Sequence, residues 1–213
     1  MDRPLLRVRY TQRGVVDTLG PGTRSVVWVQ GCTLHCPGCI VPEMWGDVVG
    51  DLVDPVRLAH DLLDADAQAH LTVSGGEPTE QPEALALLLA TAHELGRSTW
   101  VYTGRTLEEL LEDPSPAMLD MLAEIDVLVD GRFEQDDAMA LPYRGSTNQR
   151  IMRLSDAIPR EAAEGGRPGK VTISIDDQGE LVVIGVPPPG FLTNLRAGLQ
   201  ARGVTVVPTH PWH

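Results

Sequence analysis

From about residue 25 to residue 131, short β-branched and apolar runs alternate with longer stretches whose apolar residues return at helical spacing. Ser25–Gln30 (SVVWVQ) is almost continuously apolar, with Gly-Pro-Gly shortly before it and Gly-Cys directly after. A strand buried on both faces reads this way. Asp54-Pro55 supplies an N-cap followed by proline at the first helical position, which predicts a helix to about Ala65. His70–Ser74 predicts a short strand, Glu80–Leu95 an Ala/Leu-rich helix, and Ser98–Tyr102 another strand. Thr106 and Glu109 form a capping box. The helix they open is expected to run to about Glu124 with an interruption at Pro114 and Pro116, and Asp126–Val129 follows as a strand.

Past Gly131 the pattern loosens. Phe133–Asn148 reads as a loop. Val171–Ile175 and Leu181–Ile184, joined by Asp-Asp-Gln-Gly, read as a hairpin, Phe191–Ala201 as a helix and Val204–Val207 as a last strand. Repeated strand–helix units imply α/β architecture with a parallel sheet or an open barrel. The chain has 213 residues, short of the ~250 of a full eight-unit barrel, so the expected fold is a partial (β/α) barrel with a C-terminal hairpin and helix. A single domain over 1–213 is expected, with a core of about 15–153 and the hairpin and helix within 170–207.

Composition narrows the function classes. The formal net charge of −13 repels phosphate backbones, so nucleic acid is not an expected partner. No apolar run reaches the roughly 18 residues of a membrane span, and Met1–Tyr10 carries charges in place of a secretory signal's apolar stretch. The expected location is the cytoplasm, with no membrane partner.

The chain has only 3 cysteines, all between Cys32 and Cys39 in the stretch GCTLHCPGCIVPEMW. A disulfide framework would spread an even number along the chain, so clustered thiols point to metal or redox chemistry. The spacing is C-x-x-x-C-x-x-C, and Pro37 and Gly38 favour a loop wrapped around something over a helix. Thiolates are natural ligands of iron–sulfur clusters. Three of them leave a fourth iron open to a small molecule. Zinc bound by the same thiols and His35 is the competing reading, made awkward because His35 directly precedes Cys36. A redox-only loop is another.

Four short motifs each follow a predicted strand: the cysteines, SGGEP (Ser74–Pro78), YTG (Tyr102–Gly104) and VDG (Val129–Gly131). Parallel α/β folds bind ligands at the carboxyl ends of their strands, so the four are expected to ring one site. Gly75 and Gly76 let backbone approach a ligand closely, where carbonyls accept from an ammonium group. The plainer reading of SGGEP is a strand-to-helix turn with Glu77 near a helix N-terminus. Thr103 and Asp130 either orient a polar ligand or cation, or cap and turn the chain.

These motifs resemble the radical S-adenosylmethionine (SAM) activating enzymes of glycyl-radical proteins, most closely the activators of anaerobic ribonucleotide reductases. The resemblance is carried by GPGxR at Gly20–Arg24, CPGC at Cys36–Cys39, Trp45, the TG after the third strand, VDG, and RGSTNQR at Arg144–Arg150. It covers about Val15–Arg153 and extends to the DDQGELVVIGVP hairpin. It implies a [4Fe–4S] cluster on Cys32, Cys36 and Cys39. It further implies SAM contacts from Gly38, Cys39, Ile40, Gly75, Gly76, Glu77, Thr103, Asp130 and Asn148. Arg144, Asn148 and Arg150 are expected to face the cofactor or a partner's glycine loop.

The implied reaction is reductive cleavage of SAM to a 5′-deoxyadenosyl radical, which removes hydrogen from a glycine of a glycyl-radical protein. An electron donor such as flavodoxin or ferredoxin is implied with it. Two other readings remain: a radical SAM enzyme acting on a small molecule, as carboxy-deazaguanine synthases do, and a non-enzymatic zinc or iron–sulfur interaction module. The N-terminal residues and the tail PTHPWH match no feature of the family. His210 and His213 in that tail read as solvated.

Overall fold

A computed structural model describes residues 3–112, 115–175 and 179–205. Its centre is a seven-stranded sheet. The chain enters as β1 (Leu6–Val16) and returns as β2 (Thr23–Val29), antiparallel to it. After the cysteine segment, β3 (Asp51–Val53) pairs antiparallel with the other edge of β1. Then α1 (Pro55–Leu63), β4 (His70–Gly75), α2 (Pro82–Glu94) and β5 (Thr99–Tyr102) follow. Next come α3 (Leu107–Glu112), α4 (Pro116–Ala123) and β6 (Val127–Asp130). A small hairpin, β7 (Ala138–Leu141) with β8 (Arg144–Ser146), precedes β9 (Arg150–Arg153), which pairs antiparallel with β6. The chain goes on as α5 (Arg160–Glu164), the hairpin β10 (Val171–Ile175) and β11 (Leu181–Gly185), and α6 (Phe191–Gln200).

The sheet order is β3-β1-β2-β4-β5-β6-β9. Its centre, β2-β4-β5-β6, is parallel, and antiparallel strands border that run on both sides. The fold is therefore mixed α/β with a large, mostly parallel sheet. No helix among the described residues is long and apolar enough to cross a membrane.

Strand side chains divide by parity, as the pleat requires. Val27, Val29, Leu71, Val73, Val101 and Leu128 pack in the main core beneath α1, α2 and α4. Their neighbours Val26, Trp28, Trp100, Tyr102, Val127 and Val129 line the other face. Tyr143, Ile158 and Ala163 cover one part of that face, and Ile184 of β11 another. Arg24 is buried at the start of β2. Its guanidinium donates to Thr72 Oγ1 (2.6 Å) and to the carbonyls of Leu71 (2.5 Å), Ser98 (3.1 Å) and Pro21 (3.2 Å). Burial lowers its pKa to about 10. Gly20 lies on it: a Cβ there would come within 2.9 Å of Arg24 Cδ, so GPGxR is a packing motif here.

Several boundaries differ from the sequence reading. β1 answers to no element of the sequence reading, which saw only charges in Met1–Tyr10. Only Leu6, Val8 and Val15 of it are buried. Phe133–Asn148 is not merely a loop: it holds the β7–β8 hairpin, whose few apolar residues give no alternation. The helix expected to start at Glu80 begins at Pro82, because Pro78–Glu80 forms a separate 3₁₀ turn. The helix from Thr106 divides in two, the second capped by Ser115, whose hydroxyl accepts from Met118 N–H at 3.2 Å. Pro114 lies outside the described residues, as do most of the Asp-Asp-Gln-Gly turn and the PTHPWH tail. Of the strand expected at Val204–Val207, Val204 and Thr205 are not in a strand, and the rest lies outside the described residues.

Candidate metal centre

The cysteine loop leaves the carboxyl end of β2 and is closed by its own backbone. Gly31 N–H donates to Met44 O (2.9 Å) and Cys32 N–H to Trp45 O (3.1 Å). Gln30, buried below, donates from its amide to the carbonyls of Glu43 (3.0 Å) and Gly46 (2.5 Å). Within the loop Pro37 precedes Gly38 at φ +76°, and Cys39 N–H donates to Cys36 O at 3.1 Å. This is the type II turn that Pro-Gly favours, and it puts Cys36 and Cys39 on one turn.

Each of the two outer sulfurs meets N–H donors. Those of Leu34 and His35 face Cys32, and those of Val41 and the Trp45 indole face Cys39. Burial pushes both thiols above their usual pKa, and these donors oppose the rise by favouring thiolate. All three cysteines are free and half-buried.

The donor set fits a cluster better than a single ion. A cubane offers a separate iron to each of the three thiolates, where a tetrahedral zinc needs a fourth protein ligand on the same ion. His35, the fourth ligand a zinc site would use, has its ring against Trp45, centroids 4.8 Å apart. Sulfur-directed N–H groups are the outer contacts that tune iron–sulfur clusters.

Two of the other motifs, and the residues just beyond the third, come to this loop. Glu77 N–H donates to Gly31 O at 2.7 Å, joining SGGEP to the residue before Cys32. Gly104 of YTG packs beneath Leu34, and a Cβ there would overlap the leucine. Beyond VDG, Phe133 and Gln135 lie against Gly38, within 3.2 Å of where its Cβ would stand. Ile40 is exposed on the same loop.

Several of the expected ligand contacts turn out to be engaged with the protein itself. Glu77 is buried, and its carboxylate accepts from Thr79 N–H (3.1 Å) and hydroxyl (2.7 Å), Thr103 hydroxyl (2.8 Å) and Gly104 N–H (2.8 Å). It clasps the loop after β4 to the loop after β5. Burial pushes its pKa up, and the four hydrogen bonds pull against that. Thr103 Oγ1 also accepts from Arg105 N–H at 3.0 Å.

Asp130, fully buried, is held by Arg150 (Nε to Oδ1 2.9 Å) and by Leu107 N–H (2.8 Å). Arg150 is thereby committed to Asp130 and to Glu108. Gly75 needs its φ of +116° and an absent side chain, because a Cβ would strike Val29 backbone. At Gly76 a Cβ would overlap the Gly31 carbonyl oxygen and reach within 2.9 Å of Met44 O. Close approach to the cysteine loop by itself requires a glycine there.

Asn148 is the exception. Its Nδ2 donates to Arg132 O at 2.8 Å, while its Oδ1 is buried without a partner. Sequence reasoning missed Gln149, which organises RGSTNQR by accepting from Gly145 N–H (2.8 Å) and donating to Gly131 O (3.0 Å). It also missed Gln30 and Phe133. The partners of Gln30 and Phe133 lie outside their own segments, and Gln149 links Gly145, four residues back, to the more distant Gly131.

Comparison with known proteins agrees with this chemistry. Residues 18–152 match the family model of a 4Fe-4S single cluster domain. That match ends before β10, so the C-terminal hairpin lies outside it although the sequence resemblance was drawn to include it. A Pasteurella multocida (strain Pm70) protein named anaerobic ribonucleoside-triphosphate reductase-activating protein is 39% identical over 158 residues, 70% of this chain and 97% of its own length. Proteins of the same name from Escherichia coli (strain K12) and Enterobacteria phage T4 are 34% and 30% identical, over 69% and 65% of this chain and 99% and 89% of their own.

Proposed function

The chain belongs to the anaerobic ribonucleoside-triphosphate reductase-activating proteins, with their 4Fe–4S single cluster domain, and from that premise we propose that Cys32, Cys36 and Cys39 hold the cluster and that SAM binds beside it. The protein is an activating enzyme that works by radical chemistry on a glycyl-radical reductase. Bound there, the cluster and SAM would supply one-electron cleavage of a carbon–sulfur bond to methionine and a 5′-deoxyadenosyl radical, which would take hydrogen from a glycine Cα to leave 5′-deoxyadenosine and the glycyl radical. The observation that carries the reading is the junction of the cysteine loop with SGGEP, where Glu77 N–H meets Gly31 O at the carboxyl end of the parallel strands. The open sheet with its parallel centre reads as the partial (β/α) barrel of the radical SAM type.

The side chains divide the labour in two layers. Gly38, Cys39, Ile40 and Gly75 offer backbone at the loop surface for the ligand. The unpartnered Oδ1 of Asn148 offers it an acceptor for a hydroxyl or ammonium donor. Glu77, Thr103 and Asp130 serve one layer out, holding the loops that carry those groups. Electrons come from a small donor of the flavodoxin or ferredoxin kind. The acidic surface steers toward a basic patch on the reductase, so association weakens with salt.

The test is anaerobic reconstitution of the full chain. It should hold about four irons and give a paramagnetic reduced state. It should cleave SAM slowly alone and faster with a cognate reductase, which gains a glycine-centred doublet. Cys36→Ala should lose the cluster and the cleavage. A Cys36→Ala protein that cleaves SAM at the native rate refutes the cysteine assignment. Silence toward glycyl-radical reductases, with a small metabolite driving 5′-deoxyadenosine formation, refutes the partner.

A further inference from the structure

We infer that Glu80 is a positioning residue for the cluster, holding the turn that presents Cys32 and adding negative charge beside the iron that Cys32 binds. The inference rests on the cluster reading above. Glu80 lies two residues beyond SGGEP, and no motif marks it.

One short segment holds both flanks of Cys32. Before it, Gly31 O accepts from Glu77 N–H at 2.7 Å. After it, Thr33 N–H donates to Glu80 Oε1 at 3.0 Å, and the Thr33 hydroxyl donates to the same oxygen. The carboxylate is itself steered by Arg105, whose Nη2 lies 3.7 Å away. The Arg105 backbone is fixed at both ends, donating to Thr103 Oγ1 (3.0 Å) and accepting from Gly131 N–H (3.2 Å). Glu80 thus ties the first cysteine to the loops after β4, β5 and β6 together. Cys36 and Cys39 need no such tie, since their shared turn closes on itself.

A purely stabilising role explains this poorly. Thr33 is exposed, and the Glu80 and Arg105 side chains are 21% and 38% exposed. Ion pairs at such surfaces contribute little to folding. Restraint of a ligand-bearing turn is a different matter: loss of a contact behind a metal ligand typically costs 10- to 100-fold in metal affinity. A carboxylate bonded to the residue that follows Cys32 also disfavours adding an electron to the cluster.

Two substitutions separate geometry from charge in the reconstituted full chain. Glu80→Ala removes both, while Glu80→Gln keeps an acceptor oxygen and removes the charge. Iron release to a ferrous chelator should be about tenfold faster in Glu80→Ala and near the native rate in Glu80→Gln. Thr33→Val removes only the hydroxyl's bond and keeps the backbone N–H, so it should speed release less than Glu80→Ala, and the double variant should add little to Glu80→Ala. The cluster midpoint potential, read without SAM, should move positive in Glu80→Gln. Melting of the apo forms should shift by no more than about 2 °C.

Native iron release in Glu80→Ala overturns the inference. Equal, fast release in both Glu80 variants overturns it too, as does an unchanged potential in Glu80→Gln. An unsubstituted chain that holds no iron at all sinks the cluster reading itself, and this inference with it.

Discussion

At the carboxyl ends of β2, β4, β5 and β6 the chain is held together by backbone and by glycine, while at their amino ends it is held by buried polar side chains. At the cysteine end, Gly75, Gly76 and Gly104 let three loops touch, and the thiols stay half-exposed among N–H donors. At the other end, Arg24 bridges Pro21, Leu71, Thr72 and Ser98. Close by, His93 sits between Glu124 (2.7 Å) and Asp126 (3.1 Å), and Asp126 also accepts from Thr99 N–H (2.8 Å) and from Ser155. The second end is a network of buried polar side chains, although Arg97 Nε and Trp100 Nε1 near it have no partner among the described residues. The first carries three free thiols on one loop, with Asn148 Oδ1 unpartnered. The difference that teaches which end is built to receive something is the thiol set.

That contrast can be broken from either side. The largest effect is expected from Arg24→Met, which strips donors from buried carbonyls and from Thr72. Denaturant unfolding of the apo protein should show a loss of about 3 kcal/mol. Reconstituted iron content at native temperature should be unchanged, since no Arg24 contact reaches the cysteine loop. Iron lost in proportion to stability would erase the distinction between the ends.

Gly76→Ala probes the opposite end. Its Cβ must push the Gly31 carbonyl, so unfolding should cost about 2 kcal/mol, as overpacking does. Iron binding should suffer more than stability does, because the displaced residue adjoins Cys32. Full iron content together with weakened SAM binding would restore Gly76 as a direct ligand contact.

The smallest effect concerns pH. Burial acts to lower the pKa of His93, but its bonds to Asp126 and Glu124 outweigh that and leave it raised. A raised folded pKa gives stability that is fully present below the unfolded value of about 6.5 and is lost as pH climbs through the folded one. His70 has the opposite sign: burial, then Arg24 and Arg97, lower its pKa, so its protonation in the unfolded chain costs stability as pH falls. The stability difference between the native chain and His93→Gln should therefore shrink from about pH 6 to about pH 8. A difference constant over that range would mean that His93 has the same pKa folded as unfolded.

The sequence alone determined whatever depends on neighbours in the chain. Asp54 caps α1 with its side chain on Val56 and Arg57 N–H groups, Thr106 and Glu109 cap each other, and CPGC makes its turn, all through contacts within three residues. Cysteine spacing likewise carried the cluster chemistry, because thiolate ligation is a property of residue type and separation. Tertiary structure decided the rest. Whether β1 is a strand depended on β2 and β3 pairing with both its edges, which its arginines hide. Which donors Glu77, Thr103 and Asp130 take inside the protein was not legible in their motif loops. Only the fold brings Thr103 and Gly104 onto Glu77 and Arg150 onto Asp130, and a buried carboxylate takes whichever donors lie nearest. Glu80 is the clearest case: its partner Thr33 is 47 residues away, so no local pattern could announce it.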